Sequence, residues 1–211
     1  MSLLIKIDAE IEKQSLLKHP FYRMWSDGKL TQENLAGYSM EYFQLVKVVP
    51  RLVSNVASFA SPSQVGQVKE NVDEELTHIE PWIKFAGSLG VTKSTLEKYS
   101  GAQATLESVR ALDRLTTTSF EEGVAAMYAY EKQLPEISRS KIDGLRRFYG
   151  KQGGDATKYF ELHEEADVRH AAVWRAFIAQ SARSEDSIMR AVAGSLKAQN
   201  DLLDSVMANH C

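Results

Sequence analysis

The strongest constraint on the fold of this chain is the spacing of its apolar residues, which recur at intervals of three and four over long stretches. Residues 3–17 illustrate the pattern with Leu3, Leu4, Ile7, Ile11, Leu16 and Leu17. Apolar residues at this spacing share one face of an α-helix, whereas a half-buried β-strand needs strict alternation, which no segment shows convincingly. The sequence therefore predicts an all-α fold.

Turn and capping residues divide the chain into seven or eight helices, because its 12 glycines and 5 prolines act mainly as punctuation. Thr31 and Ser119 are candidate N-caps, and Pro50 and Pro135 should bend the helices that contain them. The predicted helices cover residues 3–17, 31–59, 63–87, 95–115 in one or two pieces, a stretch from 119 that Pro135 kinks, 141–149, 155–183 capped by Asp155, and 184–209. No repeat or linker suggests a second domain, so residues 1–211 are predicted to form a single domain.

Charge and cysteine content exclude several classes of partner and site. The 25 Lys and Arg residues nearly balance the 28 Asp and Glu residues without a basic block, so neither nucleic acid nor an anionic membrane is expected as a partner. Charged residues interrupt the apolar N-terminus, and no uncharged apolar run reaches membrane-spanning length, which predicts a soluble, cytoplasmic protein. The single cysteine, Cys211, leaves a metal ion with only histidine and carboxylate ligands.

The strongest local signal for chemistry is the sequence HEEADVRH at 163–170. Offsets of four and seven place His163, Asp167 and His170 on one face of a helix. Imidazole and carboxylate together suit iron, manganese or zinc, and this set leaves coordination positions open for oxygen or substrate. The alternative is a solvated helix face on which charged residues alternate.

A second candidate ligand pair lies in the sequence EELTH at 74–78. Glu74 is four residues and Glu75 three residues before His78, and Glu-x-x-His is the arrangement that dinuclear carboxylate sites use in helical bundles. Either glutamate can share a helix face with the histidine. The alternative for both is a surface ion pair.

A third candidate is Glu131, which lies on the same predicted helix as the apolar residues Val124 and Met127. A buried carboxylate needs a compensating cation, so an internal Glu131 indicates a metal ligand, whereas an outward one would pair with Lys132. The three segments together offer three histidines and at least three carboxylates, which is a ligand set for two ions.

Four stretches of the chain resemble a known family, namely HPFYRMWSDGKLT at 19–31, NVDEE at 71–75, EEGVAAMYAYEKQLPEISRSKIDGL at 121–145 and YFELHEEADVRH at 159–170. They are similar to the family of the Chlamydia protein associating with death domains, in the group that includes pyrroloquinoline-quinone-synthesis protein C and the thiaminase-II-like proteins. The resemblance spans residues 15–178. It implies a haem-oxygenase-like helical bundle with no haem and no nucleotide, and a dimetal oxygenase activity.

The resemblance also implies the ligands of two metal ions, which are Glu74, His78, Glu131, His163, Asp167 and His170. The ions would be iron, or iron with manganese, with Glu131 as a candidate bridge and O2 as co-substrate. In the family pattern the first glutamate precedes its histidine by seven residues, which falls here on Asn71. The alignment therefore leaves Glu74 and Glu75 as alternatives at that position.

A substrate follows from the same resemblance. The subgroup with the His-x-x-x-Asp-x-x-His motif makes para-aminobenzoate for folate by an oxygen-dependent route that is thought to consume a tyrosine of the protein itself, and an external reductant is expected as a partner. In this chain the resemblance makes Tyr22 the source of the ring, Lys141 the amino donor, and Tyr130 and Tyr159 redox-active phenols nearby. By residue type alone, Tyr22 is a core aromatic residue and Lys141 a solvated basic one.

Two other functions are compatible with the sequence. One is a metal-independent enzyme of the thiaminase or quinone-synthesis type, although the interior lacks the cysteine that thiaminase-type members use. The other is a protein-interaction module. The last predicted helix carries Ile188, Val192, Leu196 and Leu203, which serve either its own core or a contact with a second copy in a homodimer.

Overall fold

The computed structural model describes residues 2–211, so Met1, the first residue of the predicted domain, lies outside the described residues. Within that range the chain forms eleven α-helices and two short 3-10 turns, with no β-strand, which confirms the all-α prediction. None of these helices has an apolar stretch of the kind that a bilayer span requires. The helices are α1 (Leu3–Lys13), α2 (Pro20–Ser26), α3 (Gln32–Val46), α4 (Val49–Ser58), α5 (Val65–Ser88), α6 (Lys93–Lys98), α7 (Gln103–Thr116), α8 (Phe120–Glu131), α9 (Leu134–Arg147), α10 (Lys158–Ala179) and α11 (Glu185–His210).

The helix count exceeds the predicted seven or eight because Pro50 starts a new helix instead of bending an existing one, and because α2, which begins at Pro20, was not predicted. Pro135 also starts a helix instead of bending one. Pro50 lies in the first turn of α4 and Pro135 in the first turn of α9. A proline there loses no helical hydrogen bond, since the first N–H groups of a helix have no partner within it. The predicted short helix at 141–149 is therefore the second half of α9.

Two of the three predicted caps are confirmed, and the third is wrong. The side chain of Thr31 accepts a hydrogen bond from the backbone N–H of Asn34, and that of Ser119 does the same for Glu122. Asp155 does not cap α10, because it lies in a 3-10 turn at 154–156 and the helix begins only after Thr157. The preceding glycines Gly153 and Gly154 have φ angles of 59° and 53°, which turn the chain before the helix can start.

The arrangement of three helices positions the candidate site. α10 packs against α9, α8 and α5, while α11 packs against α7, α8 and α3. The buried apolar side chains form one continuous core, to which the apolar face of α11 belongs, with Ile188, Val192, Leu196 and Leu203 at most 2% exposed. Because α10 contacts both α5 and α8, polar residues on the inward faces of these three helices can meet inside the bundle.

Candidate metal centre

Six buried side chains of metal-ligand type converge where α5, α8 and α10 meet. The structure buries all three residues of the 163–170 motif, as expected if they share one helix face. No solvated charged face exists at these positions. The six residues, each at most 4% exposed, are Glu75 and His78 of α5, Glu131 of α8, and His163, Asp167 and His170 of α10.

The donor atoms of five of these residues form two groups of three, which share one member. One group contains Glu75, His78 and His163, and the other contains Glu75, Asp167 and His170. Within each group the three donor atoms lie within 4.8 Å of one another. Glu75 belongs to both groups, so its carboxylate is within reach of an ion held by either group. Glu131, the expected bridge, lies beside the second group, with Oε2 3.9 Å from Nδ1 of His170.

The structure places Glu75, and not the predicted ligand Glu74, in this cluster. Asn71, Glu75, His78 and Trp82 are all buried and follow one another at intervals of four, three and four, so they form the inward face of α5. Glu74 precedes Glu75 by one residue and is therefore rotated by about 100° away from that face. The continuation of the stripe to Trp82 is the sequence signal that distinguishes the two glutamates.

Glu74 borders the cluster from outside. Its side chain is 34% exposed, it pairs with Arg169, and its Oε2 lies 2.9 Å from Nε2 of His170. The opposite ring nitrogen of His170, Nδ1, lies 3.3 Å from Oε1 of Glu75. Glu74 therefore orients the imidazole so that Nδ1 faces the cluster, which is the contact that carboxylates make with metal-binding histidines.

The two glutamates give a matched pair of variants. We expect Glu75→Gln to lower metal affinity by more than about 100-fold, because Glu75 touches both groups, whereas losing an outer contact costs about 10- to 100-fold. Glu74→Gln should cost at most about tenfold, since the amide oxygen still accepts the Nε2–H bond of His170. Metal titration of both variants measures the difference. Equal losses in the two variants would contradict the assignment of Glu75.

Unpaired polar atoms show that the cluster fits metal ions. Buried side-chain atoms without a hydrogen bond include Nδ1 of His78, Oε1 of Glu131, both carboxylate oxygens of Asp167 and Nδ1 of His170. Burying such atoms unpaired costs about 1–3 kcal/mol for each neutral group and more for charged ones. His78, Asp167 and His170 belong to the two groups of three, so cations bound there would compensate their unpaired atoms.

Hydrogen bonding selects the nitrogen of His163 that is free for a ligand. Nδ1 of His163 lies 2.8 Å from the carbonyl oxygen of Tyr159, one helical turn earlier. Since a carbonyl only accepts, Nδ1 carries the proton, and Nε2 keeps its lone pair. The ring centroids of His163 and His78 lie 4.4 Å apart, which keeps both imidazoles at the same end of the cluster.

Burial and mutual repulsion shift the ionisation of the cluster. Burial raises the pKa of Glu131 to about 8, and burial with repulsion from Glu131 raises that of Asp167 well above its ordinary value. Burial also lowers the pKa of His163 to about 4. Burial alone would lower the pKa of His170, but its contacts with Glu75 and Glu131 outweigh that effect and raise it to about 9.

These shifts predict that the metal-free protein loses stability as the pH rises from 6.5 to 8. In this range folded Glu131 and His170 retain protons, whereas in the unfolded chain the glutamate is already deprotonated and the histidine is losing its proton, so unfolding releases protons. Each such proton lowers the free energy of unfolding by up to about 1.4 kcal/mol per pH unit. Folded His163 stays neutral in this window, whereas an unfolded histidine is still about half protonated at pH 6.5, so this residue opposes the trend slightly near pH 6.5 and contributes nothing by pH 8.

Thermal unfolding of the metal-free protein at pH 6.5 and pH 8 tests this expectation. The melting temperature should fall, and it should fall less in Glu131→Gln, which cannot titrate at that position. A melting temperature that rises over this interval would show that the cluster does not hold these protons.

A second buried feature is an aromatic cage around Lys141, formed by the rings of Tyr22, Trp25, Tyr38, Tyr42 and Phe160. The Nζ atom lies 5.1 Å from the ring centroid of Tyr22, and the other centroids lie at 5.0–6.0 Å. Lys141 is 3% exposed, so it is not the solvated residue that its sequence context suggested. Its amine donates a hydrogen bond to the hydroxyl of Tyr38, and burial lowers its pKa well below the ordinary value.

The predicted ring source, Tyr22, is in direct contact with this amine. Tyr22 is 1% exposed, and its hydroxyl is buried without a hydrogen-bond partner. Burial and the neighbouring Tyr42 raise the pKa of the phenol well above its ordinary value, so the ring stays protonated. The structure therefore brings together the two residues that the resemblance selected, although they are far apart in the sequence.

Aromatic contacts connect the cage with the candidate metal cluster. Tyr38 and Tyr42 are one helical turn apart on α3, and their ring centroids lie 5.3 Å apart. Tyr42 packs on Trp82 at 5.2 Å, and Trp82 on Tyr159 at 4.7 Å. The sequence interpretation missed Tyr38 and Tyr42, whose spacing of four within an apolar stretch was the available signal.

The two predicted redox-active phenols differ in their contact with the cluster. The ring centroid of Tyr159 lies 4.2 Å from that of His163. Tyr159 is therefore the last ring in the series of aromatic contacts, and it touches a candidate ligand. Tyr130 is 4% exposed and lies near Tyr42. Burial and the nearby Tyr42 raise the pKa of Tyr130 well above its ordinary value, so it also stays protonated.

Comparison with known proteins agrees with this architecture. The 4-aminobenzoate synthase of Chlamydia muridarum is 34% identical over 214 aligned residues, which cover 98% of this chain and 91% of that protein. A TenA homologue of Pseudomonas syringae pv. tomato superposes with a TM-score of 0.83 at 16% identity, over 97% of this chain and 91% of that chain. A CADD-like protein of Nostoc punctiforme gives 0.79 at 16% identity, over 99% and 97% of the two chains.

The two structural matches show the fold and confirm the haem-oxygenase-like bundle that the resemblance implied. The sequence comparison shows the family as well as the fold. Residues 37–200 match a family model described as an iron-containing redox enzyme, and this span includes all six clustered residues, five of them on α5 and α10 and Glu131 on α8. This chain therefore belongs to the haem-oxygenase-like family of iron-containing redox enzymes, to which the resemblance had assigned it.

Proposed function

We propose that this protein is a dimetal oxygenase that makes 4-aminobenzoate from its own Tyr22, with Lys141 supplying the amino group. The family and the 34% identity to a 4-aminobenzoate synthase support the product. The observation that supports Tyr22 and Lys141 as the sources of ring and nitrogen is their contact, with Nζ 5.1 Å from the ring centroid inside a buried aromatic cage. Ring and nitrogen of the proposed product are thus adjacent before any reaction.

The metal ions would be held by the two groups of three residues, which share Glu75, and Glu131 would lie beside them. Iron, or iron with manganese, would supply the binding and reduction of oxygen. The protein keeps the site in order through contacts outside the ligand set. Trp174 donates from Nε1 to Oε2 of Glu131 at 2.5 Å, and Glu74 orients His170.

The cage prepares Lys141 for its proposed role. A buried amine without a carboxylate partner favours the neutral form, which has the lone pair that a nitrogen donor needs. The side chains of Phe21, Trp25 and Phe160, each at most 1% exposed, keep bulk water away from the amine. The hydroxyl of Tyr38 accepts its hydrogen bond and so holds Nζ beside the ring of Tyr22.

Complementation tests the proposed function directly. A strain that lacks its own 4-aminobenzoate genes should grow on medium without 4-aminobenzoate when it expresses this protein. Growth should fail with His163→Ala, which removes a ligand. Absence of rescue by the wild-type protein, expressed at a level where the folded form is detected, would contradict the proposal.

A further inference from the structure

An open groove of about 400 Å³ lies over the metal cluster, between α10 and the junction of α8 with α9. Asp167 forms part of its wall, although this side chain is 0% exposed and neither carboxylate oxygen has a hydrogen bond. Ala171 and Ala172, one turn further along α10, leave room for an occupant at this position. The groove therefore ends one side chain away from the candidate ions.

Cationic side chains predominate around this groove. Lys132, Arg139 and Arg175 line it, against a single exposed carboxylate, Glu136. Lys132 forms no ion pair within residues 2–211, and the only carboxylate near Arg139 is that of Glu164, at 3.9 Å. The groove thus offers two loosely engaged cations to a ligand.

The third cation, Arg175, is fixed in the wall of the groove. Its Nη1 atom lies 2.7 Å from Oδ2 of Asp8 and 2.7 Å from the hydroxyl of Tyr128, which also lines the groove. Asp8 therefore compensates the charge of Arg175, which serves as a fixed part of the groove wall. Val168, 58% exposed, and Pro135 add an apolar surface. A small anion with a compact organic body matches both the charge and the apolar contacts.

We propose that this groove binds a small organic anion that donates electrons to the site. The proposal rests on the proposed function, in which oxygen reduction draws on an external reductant. An enediol anion such as ascorbate has the required size and charge, and it releases two electrons and one proton when it is oxidised to its neutral diketone. Lys132 and Arg139 hold the anionic oxygen, and Val168 contacts the carbon skeleton.

Calorimetric titration of ascorbate into the metal-free protein, without oxygen, tests the groove independently of catalysis. We expect saturable binding that weakens by about tenfold in the double variant Lys132→Glu/Arg139→Glu, and that weakens with added salt. The double variant Lys69→Glu/Arg110→Glu is the matched control, because it changes the net charge equally through exposed residues that do not line the groove. Its affinity should equal that of the wild type.

Three results would overturn the proposal, namely no ascorbate binding, equal binding in the groove variant, or an equal loss in the control. Titration with 4-aminobenzoate forms a second arm, because the proposed product is also a small organic anion. If 4-aminobenzoate binds and ascorbate does not, the groove is a product site and the donor assignment is wrong. If the groove variant loses ascorbate binding while the wild type makes no 4-aminobenzoate, the proposed function fails and the anion site stands.

Discussion

Replacement of Tyr22 by phenylalanine should abolish 4-aminobenzoate formation without weakening the fold. The phenol is consumed in the proposed reaction, and phenylalanine lacks the hydroxyl through which the ring can be oxidised. Because the Tyr22 hydroxyl is buried without a hydrogen bond, its removal breaks no hydrogen bond. Removing such a group relieves a desolvation cost of about 1–3 kcal/mol, so the free energy of unfolding should stay the same or rise.

Product formation by the purified, metal-loaded variant and its melting temperature together test this expectation. Tyr149→Phe is the matched control, because the Tyr149 hydroxyl donates a hydrogen bond to the carbonyl of Trp25 at 3.0 Å. That variant should still make 4-aminobenzoate and should lose about 1 kcal/mol of stability. If Tyr22→Phe forms product at the wild-type yield, Tyr22 is not the source of the ring.

The second large effect concerns the metal. The double variant His163→Ala/His170→Ala should lose both ions, because it removes one nitrogen ligand from each group of three. Wild-type protein from metal-supplemented cells should contain about two equivalents, as expected of a two-metal site. The variant should contain less than about one, since even outer-shell changes lower affinity by about 10- to 100-fold.

Elemental analysis of the purified proteins measures this difference. His210→Ala is the control, because His210 lies outside both groups and its nearest carboxylate, Glu41, is 3.4 Å away. It should keep the wild-type metal content. A wild-type protein with less than one equivalent, unchanged in the double variant, would contradict the metal site.

The sequence was sufficient to predict the fold class and the inward face of α10. Residues spaced by three and four share a helix face, both in the apolar pattern of the whole chain and in the 163–170 motif. This relation holds within one helix and does not depend on how the helices pack. The boundaries at Pro50 and Pro135 were less predictable, because proline either bends a helix or begins one. Which outcome occurs depends on the packing of the following segment.

The choice between Glu74 and Glu75 illustrates a limit of local spacing. Both lie close enough to His78 to share a face with it, and the rotation of α5 against α10 decides which one points inward. Burial of Asn71 and Trp82 on the same stripe as Glu75 reflects that rotation. The family resemblance could not reveal this rotation, because the spacing between glutamate and histidine differs here from the family pattern.

The aromatic cage could not be predicted from residue spacing within single helices. Its members come from α2, α3, α9 and α10, which meet only in the folded bundle. In the sequence SRSKIDGLRR, Lys141 has polar and basic neighbours, yet it lies on the buried side of α9 together with Ile137 and Leu145. Those two residues, four before and four after it, were the available signal.

Isotope labelling tests the central claim, that the product is built from this chain, most directly. The protein is made with ring-labelled tyrosine and side-chain 15N-lysine, purified, loaded with metal, and given oxygen and reductant without any added organic precursor. Mass spectrometry should find 4-aminobenzoate that carries both labels, at no more than one equivalent per chain, with loss of the intact Tyr22 and Lys141 peptides. Unlabelled product, or product in large excess over the protein, would show that the ring and the nitrogen come from elsewhere.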